Sequence, residues 1–332
     1  MPGGKFTPLA PNKLPLILKL GKVIKSTGSW YFVKLEDGKE VPCRIIGKFR
    51  LKGKKLTNPV AVGDEVKLEL ESDGKTGIIK EILPRENFVL RQSPRKKHEL
   101  HLIASNINQA VLIITITQPN LKQGFIDRFL LMTEPYNIPT GIVFNKADIY
   151  GEEDMAIYSF LKEIYERIGY SVLLTSAVNG DGTNSLKDLL KDKITLIGGQ
   201  SGVGKSSLIN ALQPGLDLKA KSLSDYTGKG QHTTTFAEMH ALDFGASLID
   251  TPGLKALAFN NLEPMDVAHN FREFFEYAKN CKFGGNCLHR DEPSCAVKAA
   301  IETGKISELR YLNYLTILEE IEEQNYWERH QI

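Results

Sequence analysis

Short runs of alternating apolar and polar residues fill the chain from about residue 20 to residue 90. Asp-Gly and other turn sequences separate the runs, which comprise residues 30–35, 41–46, 66–70 and 76–83. A period of two, interrupted by Asp-Gly turns, is typical of antiparallel β-hairpins. About five strands in roughly 70 residues predict a small barrel such as an OB-fold, which we assign to residues 16–95.

A different pattern begins near Asn108, where residues 110–116 form a continuous, mostly β-branched run. Such a run predicts a strand buried on both faces of a parallel sheet. Predicted helices and strands then alternate: helix 124–133, strand 140–144, helix 153–168, strand 171–174, helix 185–190, strand 194–197 and a helix from Lys205. The alternation predicts a doubly wound α/β domain over residues 100–256.

Strand patterns end near Leu257, and residues 257–332 predict a helical domain around a cluster of cysteine and histidine residues. Two of its helices are expected at 264–279 and 295–303. At the other end of the chain, residues 1–15 are rich in Pro, Gly and Lys and predict a flexible leader.

Charge is distributed unevenly along the 332 residues, whose net charge is +2. Residues 1–98 carry 21 Lys and Arg against 10 Asp and Glu, whereas the remainder carries 21 against 30. A basic N-terminal module suggests a polyanionic partner, although a merely solvated basic surface explains the charge equally well. The longest apolar runs are too short to span a bilayer, and the N-terminus lacks a secretory pattern, so we expect a cytoplasmic protein with no membrane partner.

A glycine-rich segment follows the predicted strand 194–197. It reads Gly198-Gly199-Gln200-Ser201-Gly202-Val203-Gly204-Lys205-Ser206-Ser207 and matches G-x-x-x-x-G-K-[ST] between a strand and an amphipathic helix. Its glycines let backbone N–H groups close around phosphate oxygens. We expect residues 199–207 to bind a nucleotide, with Lys205 on the β- and γ-phosphates and Ser206 on Mg²⁺. The alternative, a chance glycine-rich turn, is disfavoured by the flanking strand and helix.

A base-reading motif, Asn145-Lys146-Ala147-Asp148, ends the predicted strand 140–144. Guanine presents two adjacent N–H donors that one carboxylate accepts, whereas adenine would leave Asp148 unpaired. We expect Asn145 to tie this loop to the phosphate loop and the Lys146 stem to cover the base. After the next strand, Thr175-Ser176-Ala177 matches the element whose backbone contacts the guanine oxygen, so Ser176 and Ala177 join the predicted site.

A third motif, Asp250-Thr251-Pro252-Gly253, matches the D-x-x-G element of GTPases. Asp250 is expected to hold Mg²⁺ through water, and the Gly253 N–H to contact the γ-phosphate. Residues 222–235, which precede this motif, predict the first switch loop. Among its three consecutive threonines we assign Thr234 to Mg²⁺.

The order of these motifs is rotated, because N-K-x-D and Ser176-Ala177 precede the phosphate loop instead of following it. Such a circular permutation is tolerable because a sheet depends on spatial neighbours more than on chain order. GTPases usually orient the attacking water with a Gln just after D-x-x-G, but Leu254 occupies that position. We identify His232 as the candidate catalytic residue, either orienting the water or acting as the base. The alternative is that His232 only packs within its loop.

Four potential metal ligands lie within fifteen positions, as Cys281-x5-Cys287-x-His289-x5-Cys295. Three thiolates and one imidazole suit a tetrahedral structural Zn²⁺. Buried, unliganded cysteines are the alternative. Cys43 stands apart and is expected to be a small core residue.

Taken together, these motifs resemble the ribosome small subunit-dependent GTPase A family over nearly the whole chain. The resemblance implies a circularly permuted P-loop GTPase domain with an N-terminal OB-fold and a C-terminal zinc-binding domain. It also implies that the protein binds the small ribosomal subunit and its rRNA late in maturation, that its GTP hydrolysis is faster on the subunit, and that His232 positions the water. We expect a monomer. One departure is the five residues between Cys281 and Cys287, where the family usually has four.

OB-folds bind RNA through a basic strand face. In the N-terminal module of this chain, the candidates for stacking on bases are Trp30, Tyr31 and Phe32, although strand alternation places at least one of them in the core.

Two other hypotheses remain open from the sequence. One is a permuted GTPase acting on the large subunit or another RNA. The other is a nucleic-acid-binding protein whose nucleotide site is only a structural switch.

Overall fold

The computed structural model describes residues 18–45, 56–92, 100–216, 237–250 and 262–329. Some predictions made from the sequence lie outside these residues, namely the leader at 1–15, the first switch loop at 222–235 with His232 and Thr234, and Gly253.

The first five strands close into a barrel. They are β1 Lys19–Ser26, β2 Tyr31–Leu35, β3 Glu40–Ile45, β4 Glu65–Leu70 and β5 Gly77–Ile82. They pair in the order β1-β2-β3-β5-β4, and β4 pairs back onto β1. Only the β3–β5 pair of the barrel is parallel. This closed five-stranded arrangement confirms the predicted OB-like barrel.

Side chains alternate between the barrel core and the outside, as the sequence pattern requires. Tyr31 is 2% exposed and points into the core, whereas Phe32 is half-buried and Trp30 is 38% exposed. Tyr31 is therefore the core member of the three aromatic residues, and it is unavailable for stacking on a base. Cys43 is fully buried in the same core, as expected.

A hairpin follows the barrel, formed by antiparallel strands β6 Phe88–Gln92 and β7 Leu100–Ser105. The chain then enters an α/β unit with strands β8 Gln109–Ile114, β9 Thr140–Phe144, β10 Ser171–Leu174, β11 Ile194–Gly198, β12 Glu238–Ala241 and β13 Ser247–Asp250. Its helices include α1 Phe125–Thr133, α2 Glu152–Arg167, α3 Thr183–Leu190 and α4 Lys205–Leu212.

The strands of this unit lie in the order β10-β9-β8-β11-β13-β12. They are parallel from β10 to β13, and β12 runs antiparallel at the end. Every residue of β8 is buried, as a strand covered by helices on both faces should be. The doubly wound α/β prediction is confirmed.

Strand β12 joins this sheet to the barrel. Lys25 of β1 is in register with Glu238 of β12, their side chains form a 2.9 Å ion pair, and the Ser26 N–H donates to the Ala237 carbonyl. The sequence does not predict β12, because the strand has only four residues and none of them is buried.

The C-terminal residues form helices α5 Pro264–His269, α6 Arg272–Ala278, α7 Ala296–Glu302 and α8 Glu308–Arg329. The single helix predicted at 264–279 is wrong, since Asn270 and Phe271 interrupt it. Phe271 adopts an extended backbone (φ −90°, ψ 102°), which turns its ring into the core against Tyr314. None of the helices in the described part of the chain is sufficiently long and apolar to cross a membrane.

A buried ionic cluster fastens these helices to the α/β unit. The guanidinium of Arg310 on α8 pairs with Asp127 of α1, and two of its nitrogens donate to Glu273 of α6 at 2.7 and 2.8 Å. Asp127 also accepts hydrogen bonds from Tyr165 at 2.7 Å and from Asn313 at 2.6 Å. The carboxylates of Asp127 and Glu273 are therefore both paired with Arg310, in a buried region where an unpaired charge would be very costly.

We predict that Arg310→Ala destabilises the protein by about 3–5 kcal/mol, because it leaves the carboxylates of Asp127 and Glu273 buried without their cation. Arg128→Ala is the matched control: Arg128 also joins α1 to α8, but its partner Glu320 is 53% exposed. Loss of that pair should cost about 1 kcal/mol or less. Urea denaturation measures both free energies of unfolding, and equal losses would contradict a dominant role of the buried cluster.

Candidate functional site

The segment between β11 and α4 folds as a phosphate-binding loop. Gly199, Gly202 and Gly204 have φ values of +146°, +86° and +85°, which favour glycine. A Cβ on Gly199 would lie 2.1 Å from the Ile113 carbonyl oxygen, and one on Gly204 would lie 2.6 Å from Asn145 Nδ2. Glycine is therefore required both by the curvature of the loop and by its contacts with neighbouring strands.

The side chain of Lys205, at the start of α4, folds back over this loop. Its Nζ donates to the carbonyls of Gly199 at 2.9 Å and Gln200 at 2.8 Å. Burial lowers the pKa of the amine, and the negative charge of Asp250 opposes that shift. A phosphate at the loop would give this desolvated cation a stronger partner than the two carbonyls.

Asn145, at the end of β9, connects the base-reading loop to the phosphate loop. Its side chain is fully buried, and Nδ2 donates to the Val203 carbonyl at 2.9 Å. The Oδ1 atom accepts a hydrogen bond from the Thr175 hydroxyl at 3.1 Å. Thr175, which the sequence motifs do not assign to the site, therefore helps to orient Asn145. Its position directly before Ser176-Ala177 is the signal that would have identified it.

Asp148 lies at the exposed rim of this loop. One oxygen, Oδ1, accepts the Ser176 hydroxyl at 2.6 Å, and the Ser176 oxygen in turn accepts the backbone N–H groups of Val178 and Asn179. This chain of hydrogen bonds fixes the orientation of the carboxylate while keeping it open to solvent. A carboxylate held in this way can accept the two adjacent N–H donors of a guanine.

Four predicted elements meet at one edge of the sheet, at the carboxyl ends of β9, β10, β11 and β13. Asp250 ends β13 in register with Ile197 of β11, which places it beside the phosphate loop. Lys146, Ala147, Ser176 and Ala177 lie in the loops that follow β9 and β10, and Ser206 and Ser207 lie in the first turn of α4. Open α/β sheets bind nucleotides at this edge.

The four predicted metal ligands form a second cluster. The ligand atoms of Cys281, Cys287, His289 and Cys295 lie within 4.8 Å of one another, and all four residues are buried. The Cys295 sulfur is 3.9 Å from the sulfurs of Cys281 and Cys287 and 3.4 Å from His289 Nδ1. Ligands of a tetrahedral zinc, at about 2.0–2.3 Å from the metal, are separated by about 3.5–3.8 Å. The cluster is therefore compact enough to hold a metal ion among its four ligand atoms.

Local backbone structure brings the ligands together. A short 3₁₀ turn, Gly284–Asn286, accommodates the five residues between Cys281 and Cys287. The carbonyls of Leu288 and His289 accept hydrogen bonds from the Tyr314 and Tyr311 hydroxyls of α8, at 2.6 and 2.8 Å. Burial raises the pKa of the Cys287 thiol to about 12. A bound cation would offset this effect and stabilise the thiolate form.

Comparisons with known proteins agree with this architecture. The sequence matches the profile of the RsgA N-terminal domain over residues 20–79 and that of the RsgA GTPase over residues 82–260. A small ribosomal subunit biogenesis GTPase RsgA from Phocaeicola vulgatus is 48% identical over 306 residues, which are 92% of this chain and 98% of the relative. The protein of the same name from Flavobacterium psychrophilum is 50% identical over 301 residues, 90% of this chain and 92% of the relative.

Solved structures show the same fold. The crystal structure of YjeQ from Thermotoga maritima matches with a TM-score of 0.74 at 36% identity, over 92% of this chain and 99% of that one. The structure of YloQ, a circularly permuted GTPase, matches with a TM-score of 0.68 at 33% identity, over 95% of this chain and 99% of that one. These matches confirm the resemblance inferred from the motifs: the chain belongs to the RsgA GTPase family, whose members are circularly permuted GTP-hydrolysing enzymes.

Proposed function

We propose that the chain hydrolyses GTP to GDP and phosphate during late maturation of the small ribosomal subunit, and that the subunit stimulates the turnover. The observation that carries this proposal is the convergence of the base-reading loop, the phosphate loop and Asp250 at one sheet edge. We include the small subunit in the proposal because the similar proteins are named small ribosomal subunit biogenesis GTPases.

In the proposed site, different loops bind the base and the phosphates of the nucleotide. Asp148 accepts the guanine N–H donors, the backbone at Ser176 and Ala177 contacts the guanine oxygen, and Lys146 covers the base. The phosphates lie in the loop made by Gly199, Gln200, Ser201, Gly202, Val203, Gly204, Lys205, Ser206 and Ser207. The support is geometric, since Asn145 joins the two loops through its 2.9 Å hydrogen bond to Val203.

Hydrolysis transfers the γ-phosphoryl group to water: the water oxygen bonds to phosphorus as the bond to the β–γ bridging oxygen breaks. Leu254 stands where a water-orienting Gln is usual, so we assign that task to His232. Mg²⁺, when bound, neutralises charge on the β- and γ-phosphates. Its proposed protein contacts are the hydroxyls of Ser206 and Thr234, with Asp250 reached through water.

The Cys/His cluster is proposed to hold one structural Zn²⁺. Three sulfurs and one imidazole nitrogen, all from buried residues, would supply the four ligands of a tetrahedral Zn²⁺ and leave no open position for catalysis. The metal would join the segment 281–295 to helices α6 and α7 and support the docking of α8. Its chemical contribution is to folding and not to hydrolysis.

The barrel is the proposed RNA-binding module of a cytoplasmic monomer. Its support is the basic composition of residues 1–98 together with the exposed ring of Trp30 and the half-buried ring of Phe32. Exposed aromatic rings on a basic surface suit contact with rRNA, in which bases stack on rings and lysines neutralise phosphates.

Phosphate release with and without purified small subunits tests the proposed function. We expect the small subunit to raise GTP turnover about tenfold or more, with large subunits ineffective at the same concentration. Stimulation by large subunits alone would point to a different RNA partner, and no multiple-turnover hydrolysis under any condition would contradict an enzymatic role.

His232→Ala provides the mechanistic control for that assay. Its kcat on the subunit should fall about 100-fold because the water is no longer oriented, while GTP affinity should change by no more than about twofold. Unchanged turnover would remove His232 from the mechanism.

We predict that Asp148→Asn inverts the base preference. The amide retains an acceptor for the guanine N1–H but places a donor opposite the exocyclic amine, so GTP affinity should fall at least about 100-fold. Xanthosine triphosphate carries a carbonyl in place of that amine and should bind the variant better than GTP does. Fluorescence titration measures both affinities, and retained GTP preference would exclude Asp148 from base reading.

Metal analysis of protein purified without chelator should find one zinc per chain. Cys295→Ala should lose the metal and lower the thermal stability of the C-terminal helices, whereas Cys43→Ala, which alters a cysteine in the barrel core, should retain it. Guanine-nucleotide binding should survive chelation, because the cluster lies outside the nucleotide edge of the sheet. Zinc-free wild-type protein would contradict the assignment.

A further inference from the structure

The hydrogen-bond ladder between β8 and β9 is interrupted where the nucleotide site begins. The two strands are parallel, with Ile114 in register with Phe144, and the Asn145 N–H donates to the Ile114 carbonyl at 2.8 Å. In a regular parallel ladder the next bond would run from the Ile116 N–H to the Asn145 carbonyl.

A tyrosine hydroxyl occupies the place of that bond. The Ile116 N–H donates to the Tyr150 oxygen at 2.8 Å, and the Tyr150 hydroxyl donates to the Asn145 carbonyl at 2.8 Å. The 3₁₀ turn Ala147–Ile149 reverses the chain after β9 and brings the ring back between the strand ends. Both backbone groups are thus satisfied, but through the tyrosine hydroxyl and not by a direct bond between the two strands.

The separated strand ends lead to two different parts of the nucleotide site. Beyond β8, the chain bends toward the phosphate loop, where a Cβ on Gly202 would lie 3.7 Å from Pro119 Cδ. The Pro119 carbonyl is held by the Thr115 hydroxyl at 2.7 Å. Beyond β9 lies the base-reading loop, so the bridging hydroxyl stands at the divergence of the phosphate-contacting and base-reading segments.

The same hydroxyl supports an unfavourable backbone conformation. Lys146, the residue after Asn145, has φ +69°, a left-handed backbone region that is unfavourable for a non-glycine residue. Contacts on three sides maintain it: Tyr150 on the Asn145 carbonyl, the Gln118 carbonyl on Lys146 Nζ at 2.5 Å, and the Thr175 carbonyl on the Ala147 N–H at 3.0 Å. This conformation orients the backbone that leads to Asp148.

We propose that Tyr150 is a positioning residue for guanine recognition: its hydroxyl, inserted between β8 and β9, sets the geometry from which Asp148 reads the base. The inference rests on the proposed guanine site. Burial raises the pKa of this phenol to about 12, so it remains a hydrogen-bond donor at neutral pH. No sequence motif marks the residue, since its partners Ile116 and Asn145 become neighbours only in the folded sheet.

The test compares Tyr150→Phe with Tyr158→Phe in the full-length protein. The first variant keeps the ring and removes the bridging oxygen. The second variant, the control, also removes a phenol hydroxyl. The centroid of the Tyr158 ring lies 5.3 Å from that of Phe144, the last residue of β9. Equilibrium affinities for GDP and IDP are measured, because IDP lacks the exocyclic amine from which Asp148 would accept a hydrogen bond.

We expect Tyr150→Phe to weaken GDP binding about tenfold and IDP binding about threefold, so that the preference for GDP over IDP shrinks. Tyr158→Phe should preserve that preference, and thermal unfolding verifies that both variants are folded. An unchanged GDP-to-IDP ratio in Tyr150→Phe, even with a lower melting temperature, would overturn the proposal by showing a purely structural role. If the wild type itself did not prefer guanine to adenine nucleotides, the proposed function would fail instead.

Discussion

The parallel pairing of β10, β9, β8, β11 and β13 is the constraint on which the nucleotide site depends. Parallel strands present their carboxyl ends at one edge, so every loop that follows one of these strands emerges on the same side. The pairing acts between neighbours in space, and it is indifferent to which strand the chain visits first. A rotated motif order therefore still assembles the phosphate loop between Asp250 and the base-reading loop.

Within that edge, buried polar bonds join loops that the sheet alone would leave independent. Asn145 is the central member, because one amide group contacts both Val203 of the phosphate loop and Thr175 after β10. A buried amide without such partners would be strongly unfavourable, so the contacts fix the relative positions of the loops. Tyr150 extends the same arrangement toward the end of β8. Buried hydrogen bonds at the strand ends thus hold the loops of the site together, while Asp148 stays open to solvent.

The barrel and the C-terminal helices attach to the α/β unit through contacts of different physical kinds. The barrel joins through the β1–β12 ladder, in which the solvent-accessible ion pair of Lys25 and Glu238 takes part. The C-terminal helices join through the buried cluster around Arg310, where charges are removed from water. Exposed ion pairs contribute little to stability, whereas breaking a buried pair is costly. Removing one partner from the cluster around Arg310 is therefore expected to cost more stability than removing one partner of the Lys25–Glu238 pair.

Local patterns in the sequence determined much of the fold and the candidate site. Continuous apolar runs located strands 140–144 and 171–174 with the bounds that the structure has. The glycine-rich motif and the cysteine spacing likewise identified the phosphate loop and the metal cluster. These features are readable because backbone periodicity, loop curvature and ligand geometry each impose residue types at short, regular spacing.

Only the tertiary structure revealed strand β12, the break at Phe271, the pairing of Arg310 with Asp127 and the bridging role of Tyr150. Arg310 and Asp127 are 183 positions apart, and Tyr150 meets Ile116 across 34. Contacts at such separations leave no local period in the chain. They arise because folded segments must satisfy the buried charges and backbone groups of distant neighbours, a requirement that exists only after the segments have packed together.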